Sequence, residues 1–406
     1  MTLTRRWASR NVLALGFTSL LTDISSEMIT AALPIYLIYY LRLSPLEFGL
    51  VDGLYQGVTA LVRVAGGALG DRAGRYKEVA VVGYAVSAVC KLGLLAVGGV
   101  WTGIAGVVLV DRLGKGLRTA PRDALISLSV PRSRLATAFG THRALDAVGA
   151  LLGPVVTFGI LALAPNGFDA VFVASFCFAV LGVGVIGLFA ENRAGAVEKA
   201  ALHPLTLLSS GGLLRDGFGR LVGLASLLAL LTISDGFLYL ALQRRGAVTV
   251  GVLPLLYVGT ALVTLALNIP LGRLADRWGR ERVFLAGYIG LAGAYLVVLS
   301  PGLAWPGAVA SLVLLGGYYA ATDGVLAALA SAQLPSAVRG SGLALLATAT
   351  GLARLGSSVG FGALWTWWGL EVTVLVYLAG LTGAIVLAVL TLRPPRSRRD
   401  VGPALA

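Results

Sequence analysis

The 406 residues are 57% hydrophobic and 13% charged, with 32 Lys and Arg against 19 Asp and Glu, a net charge of +13. That balance excludes an ordinary soluble domain and makes the bilayer the expected solvent. The positive charge does not point to nucleic acid, because the basic residues are scattered through short loops and both ends, and Cys90 and Cys177 lie in apolar stretches as small buried hydrophobes, which excludes a disulfide framework or thiolate metal site.

In chain order, Arg5, Arg6 and Arg10 precede an apolar run that Asp23 and Glu27 interrupt. A signal-peptide core would be unbroken, so this run reads as a permanent first span. Apolar stretches of bilayer-spanning length predict spans near 12–40, 47–69, 79–99, 102–125, 136–162, 168–189, 220–241, 251–271, 283–300, 307–330, 341–365 and 372–392. Ser44-Pro45-Leu46-Glu47 supplies an N-cap, a proline for the first helical position and a capping-box carboxylate to start the second span. The expected product is an all-α integral membrane protein of twelve transmembrane helices. The polar stretch 191–219 reads as a cytoplasmic linker between six-helix bundles at 1–190 and 220–392, and 393–406 as a basic cytoplasmic tail. With both termini cytoplasmic, the inner loops hold most of the Lys and Arg, and the outer loops only Arg42, Arg244 and Arg245, as the positive-inside rule requires.

The loop after the second span reads Gly67-Ala-Leu-Gly-Asp71-Arg72-Ala-Gly74-Arg75-Tyr-Lys77, and the loop after the eighth reads Gly272-Arg-Leu-Ala-Asp276-Arg277-Trp-Gly279-Arg280-Glu-Arg282. The offset that carries Asp71 onto Asp276 also carries Arg134 onto Arg339, so the halves read as copies of one unit. With these motifs the chain resembles the major facilitator superfamily over its whole length. The resemblance implies two pseudo-symmetric six-helix bundles that rock about a central cavity, and it implies that Gly67, Asp71, Arg72, Gly74 and Arg75, with Gly272, Asp276, Arg277, Gly279 and Arg280, form a cytoplasmic gate. In the fifth span, Gly149-Ala-Leu-Leu-Gly153-Pro154 resembles the core of the family's antiporter motif, without the small residues that often follow it. In the fourth, Arg112-Leu-Gly-Lys115-Gly116 resembles an Arg-x-x-Gln-Gly element with Lys in place of Gln.

An ionisable side chain near mid-bilayer costs roughly 2.5–3.5 kcal/mol on insertion scales, so each one is paired, hydrated or functional. Asp23 and Glu27 sit one turn apart on the first span, Asp111 and Arg112 at similar depth on the fourth, Asp235 on the seventh and Asp323 on the tenth. The resemblance implies that these four helices line the cavity. Asp52 and Arg63 on the second span, His142, Arg143 and Asp146 on the fifth and Arg354 on the eleventh flank it. Arg112, Lys115, Arg118 and Arg122 form a stripe along the fourth helix, either an anion path or a set neutralised by nearby acids. Two carboxylates four residues apart in a low-dielectric cavity cannot both ionise cheaply, so Asp23 and Glu27 are the expected proton carriers.

Gly182-Val-Gly184-Val-Ile-Gly187 matches a dinucleotide fingerprint and Gly356-Ser-Ser358-Val-Gly360 a nucleophile elbow, but both lie inside apolar spans without the strand each requires. His142 and His203 are too far apart for a zinc site. The expectation is a multi-pass inner-membrane transporter, not an enzyme, monomeric, whose partners are the lipid bilayer and a small-molecule or ion substrate, with no nucleic acid, no metal and no cofactor beyond a proton gradient. Proton-coupled efflux of a small organic compound leads. Export of a divalent metal or its complex, and a non-transporting receptor, are the alternatives.

Overall fold

The computed structural model describes residues 9–192, 217–300, 302, 304–334 and 339–391, with every side chain in them except 60, 63–68, 70–73, 132 and 136. The expected linker therefore falls mostly, and the expected tail wholly, outside the described residues. The helices in order are α1 (Arg10–Ile35, continued by a π turn Tyr36–Tyr40), α2 (Pro45–Ala73), α3 (Tyr76–Ala96), α4 (Trp101–Leu128), α5 (Leu135–Leu163), α6 (Phe168–Phe189), α7 (Gly217–Leu230), α8 (Asp235–Arg244), α9 (Leu253–Trp278), α10 (Arg280–Leu299), α11 (Trp305–Gln333) and α12 (Arg339–Thr391).

Local chemistry sets many of the ends. Ser9 caps α1 by accepting from the Val12 amide at 3.3 Å. At the start of α2, Glu47 reaches back to the Ser44 amide at 2.8 Å while the Ser44 hydroxyl accepts from the Glu47 amide, a closed capping box. Gly74 (φ 62°) and Gly279 (φ 101°) occupy the same place in the two repeated loops, each between two helices, where a positive φ excludes most side chains. Arg134 and Arg339 likewise stand at equivalent helix starts, before α5 and at the head of α12.

Among the described residues, nine helical segments are long and apolar enough to cross a membrane. The exterior matches: Leu163, Leu188, Ile269 and Leu390 are exposed, and Trp278, Trp305, Trp367 and Trp368 stand exposed near helix ends, where indole rings favour the membrane interface. Cys177 lies on this exterior too, so only Cys90 is buried, contrary to the expectation for both. The apolar length of α6 left no signal for which of its faces turns outward.

One further expectation needs correction. The stretch 220–241 is not one helix. It breaks at 231–234, and the freed backbone groups are taken up by side chains: the Ile233 amide donates to the Tyr295 hydroxyl (2.7 Å), Tyr295 donates to the Leu231 carbonyl (3.1 Å), and Ser357 donates to the Thr232 carbonyl (2.7 Å). A helix can open at membrane depth only where neighbours resatisfy it in this way. The expected separation at 366–371 is present: Gly369 (φ 80°, ψ 169°) leaves the helical conformation and divides α12 into two helical arms.

The halves, α1–α6 and α7–α12, meet at the end reached by the C-terminus of α1 and the N-terminus of α2, here the distal end. The Leu46 amide donates to Thr366 Oγ1 (3.0 Å), Tyr39 donates to Gln243, and Phe48, Phe237, Phe361 and Trp365 form one aromatic cluster across the interface. Backbones close up here through small residues: a Cβ on Gly49 would strike the Ser358 carbonyl, and one on Gly362 the Pro45 carbonyl. Gly49→Val is therefore expected to hold the distal end apart. Oxidative crosslinking of a Leu46→Cys, Thr366→Cys pair checks this, with a several-fold fall in yield expected when the valine is added.

Candidate substrate cavity and charge network

A cavity of ≈ 370 Å³ lies between the halves. Its walls include Glu27 and Thr30 of α1, Asp52, Tyr55 and Gln56 of α2, Arg112 and Lys115 of α4, Asp235 at the head of α8, Tyr257 of α9 and Tyr319 of α11. The break before α8 is what puts Asp235 there: it is the first residue of a new helix, with Ser234 as its N-cap. Tyr319 donates to Asp235 Oδ1 at 2.6 Å, and Ser358 of α12 donates to Asp52 Oδ2 at 2.6 Å across the two halves.

Asp111 does not face this space. It is 4% exposed and turns into the α3–α4 contact, where Lys91 (2.8 Å) and Ser87 (2.5 Å) donate to one oxygen and the Arg112 guanidinium to the other (Nε at 2.9 Å). Arg112 lies 3.7 Å from the ring centroid of Tyr55, so one buried carboxylate fixes a cation that reaches the cavity wall. The rest of the cationic stripe on α4 divides. Arg118 packs over Tyr84 at 4.3 Å, and Arg122 pairs with Asp123 at 2.9 Å and donates to Ser19 at 3.2 Å. Lys115 lines the cavity and makes no ion pair within 4 Å among the described residues.

The antiporter-like glycines have a defined place. A Cβ on Gly149 would lie 2.6 Å from the Leu20 carbonyl and 3.0 Å from Asp23 Cβ, and one on Gly153 would lie 2.7 Å from both the Ile24 carbonyl and Glu27 Cβ. Pro154 follows inside α5, and one turn beyond Gly153 the Thr157 hydroxyl donates to the Met28 carbonyl at 3.0 Å. The α1–α5 seam is thus tightest beside the two acids of α1. Its other end holds His142, 2.8 Å from Ser19 Oγ and 3.4 Å from Asp146 Oδ2. Asp146 in turn lies near Asp23 on α1, while its Oδ1 is shielded and meets no donor.

Asp23 thus has an acidic neighbour on α5 as well as Glu27 on its own helix, and it does not line the cavity. Glu27 does line it, with Lys115 and Arg112 as its nearest cations. Arg354 sits among Tyr288, Tyr318, Tyr319 and Asp323 in the second half, and Asp323 is solvent-accessible. Arg143 is exposed and is not among the cavity residues.

The side chain of Arg63 on α2 lies outside those described, as do Gly67 and the side chains of Asp71 and Arg72 in the first repeated motif, where Gly74 and Arg75 are exposed. In the second copy, Gly272 lies within α9, where a Cβ would meet nothing within 4 Å, and Arg277 is exposed in the last turn. Arg280 there pairs with Asp276 at 3.3 Å and donates to the Ala328 carbonyl at 3.4 Å, tying α9 and α10 to α11 within one half. Sequence reasoning missed Lys91, Tyr55, Gln56, Tyr257, Tyr319 and Ser358. Lys91, a lone lysine in an otherwise apolar span, carried a usable signal, and the aromatic and hydroxyl residues did not. Among the described residues, no three His, Cys, Asp or Glu side chains converge as metal ligands.

The sequence matches the Major Facilitator Superfamily over residues 15–246 and 222–405. It is 31% identical over 374 residues, 89% of each chain, to an uncharacterized MFS-type transporter of Methanocaldococcus jannaschii. Among solved structures, the fold is similar to nucleoside transporter NupG (TM-score 0.78, 13% identity, covering 95% of this chain and 99% of that one) and to a POT family transporter in complex with 5-aminolevulinic acid (TM-score 0.77, 15% identity, 95% and 96%). With paired helical halves around a charged cavity and a family match along the whole chain, this protein belongs to the Major Facilitator Superfamily of membrane transporters.

Proposed function

We propose that the chain is a proton-coupled antiporter that exports a small organic solute across the inner (plasma) membrane by alternating access. The observation that carries this reading is the neighbouring acids Asp23 and Asp146 on the two sides of the glycine seam of α1 and α5, with Asp146 Oδ1 shielded and lacking a donor. Two carboxyls in that arrangement are satisfied when one proton lies between them. The proton carriers are then Asp23 and Asp146, with Glu27 facing the substrate. His142, hydrogen-bonded to Ser19 and beside Asp146, offers a path for that proton along the seam. The place of Gly149, Gly153 and Pro154 on the same seam supports the antiport direction, since the motif and the proton site are one structural unit.

The topology in this reading has twelve spans and cytoplasmic termini. To the nine apolar segments it adds α2 and α4, whose charges mask their length, and counts α12 twice across Gly369. The distal end then faces outward and is closed, which is the inward-facing member of the cycle. An inward proton gradient drives the exchange, its electrical part supplying about 2.3 kcal/mol per 100 mV for each charge moved.

Transport into proteoliposomes under an imposed pH gradient tests the reading, with the intact chain and Asp23→Asn side by side. Gradient-dependent accumulation by the intact chain alone is expected. Equal accumulation with and without the gradient would overturn the coupling.

A further inference from the structure

The cavity's charges are not mixed at random over its walls. On the α1–α4 side the lining carries Arg112 and Lys115 against Glu27, two cations to one carboxylate, while Lys91, Asp111 and Asp23 stand behind this wall. On the α2–α8 side stand Asp52 and Asp235, two carboxylates with no ion pair to any cation within 4 Å among the described residues. Each accepts from a neutral hydroxyl, Ser358 and Tyr319, with Gln56 beside Asp52 and Arg354 a more distant cation for Asp235.

Each simple class of solute leaves part of this surface uncompensated. A neutral apolar molecule displaces water from all of these charges and pairs with none, which low-dielectric surroundings make costly. A lone anion meets Asp52 and Asp235, and a lone cation meets Arg112 and Lys115. Only a solute with a cationic group at one end and an anionic group at the other satisfies both walls. The fork of Arg112 is already committed to Asp111, so Lys115 is the group left to receive an anion. Aromatic rings beside the acidic wall suit an ammonium, whose charge they attract through their faces.

We propose that the transported solute is a zwitterion with separated charges, its carboxylate on Lys115 and its ammonium between Asp52 and Asp235. This rests on the reading that the cavity is the transport site, and it is independent of proton coupling. The two bound ends lie on different halves, since Lys115 belongs to α4 and Asp235 to α8. Binding therefore draws the halves together, a contact made in an occluded state and lost on release.

Thermal unfolding of the purified full chain in detergent tests the assignment without any gradient. The probes are linear ω-amino acids from glycine to 6-aminohexanoate, each beside the amine and the carboxylate of equal length. At least one amino acid longer than glycine is expected to raise the midpoint by several degrees at a concentration where neither matched single-charge probe does. Lys115→Gln should erase its advantage over the amine, and Asp235→Asn its advantage over the carboxylate, with each variant's ligand-free melt reporting that it is folded. Glu371→Gln, at the exposed Arg245 pair, should leave the whole pattern unchanged. Equal stabilisation by an amine or a carboxylate alone, or none by any member of the series, would overturn the zwitterion assignment. Loss of gradient-driven transport with this binding pattern intact would overturn only the coupling.

Discussion

Asp111→Asn is expected to destabilise the protein by about 3–5 kcal/mol, the usual consequence of removing one partner from a buried ionic group. Asp111 is the single carboxylate between Lys91 and Arg112, which are each 2% exposed. Without it, Lys91 is left buried without its carboxylate, and Arg112 keeps only the more distant Glu27. A typical folded chain has only about 5–15 kcal/mol in hand, so the variant should give little folded protein or melt far below the parent. Thermal unfolding in detergent measures this. Adding Lys91→Met to Asp111→Asn should recover part of the loss by removing one stranded charge. If the two losses simply add, the triad is not the unit described here. The same substitution frees the guanidinium that stacks on Tyr55, so the rescued double variant should still bind solute poorly.

The second large effect concerns the α1–α5 seam. Asp146→Asn is expected to abolish pH-gradient-driven transport as completely as Asp23→Asn does, while exchange of labelled for unlabelled solute down its own gradient continues. An asparagine keeps the shape of the pair and removes its proton. When the proton leaves the native pair, two anions face each other across the seam. At an effective dielectric of about 20, two like charges about 4 Å apart repel by about 4 kcal/mol. The charged and titratable groups around the pair are Glu27 on α1, Lys115, Arg118, Arg122 and Asp123 on α4, and His142 and Arg143 on α5, and Arg122 is already engaged by Asp123. The repulsion therefore acts on the seam itself, where Gly149 and Gly153 leave no slack. Glu27→Gln separates the roles: it should weaken solute binding and leave gradient dependence in place. Parallel flux assays, one driven by pH and one by solute alone, distinguish the three variants. Loss of both fluxes in Asp146→Asn would mark Asp146 as structural.

The functional consequence of the discontinuous helix at 231–234 follows from the same economy of polar groups. Breaking the hydrogen-bond ladder exposes backbone atoms, and Tyr295 and Ser357 from two other helices take them up. The break turns Asp235 from a mid-helix residue into the first residue of α8 and sets it against Tyr319 in the cavity wall. In transporters, interrupted helices of this kind are where solute sites are found.

Much was written in the chain itself. Apolar length identified the membrane class, the repeated Gly-x-Leu-x-Asp-Arg-x-Gly-Arg loops identified the family, and Ser44 to Glu47 predicted a capping box that the structure contains. These features depend on residues near one another in sequence, so hydropathy, capping chemistry and backbone sterics suffice to read them. Which acid meets which partner was decided only by helices far apart in the chain. Asp23 and Glu27 share a helix face and were read as a pair, but α5 brings Asp146 to Asp23 and α4 brings Lys115 and Arg112 near Glu27. Asp111 and Arg112 are adjacent in sequence, yet Lys91, twenty residues earlier, turns the first inward, while Tyr55 of another helix holds the second at the cavity. An ionisable side chain in a membrane has no water to fall back on, so its role follows from its nearest opposite charge or hydrogen-bond partner, and only the packing of the helices supplies that neighbour.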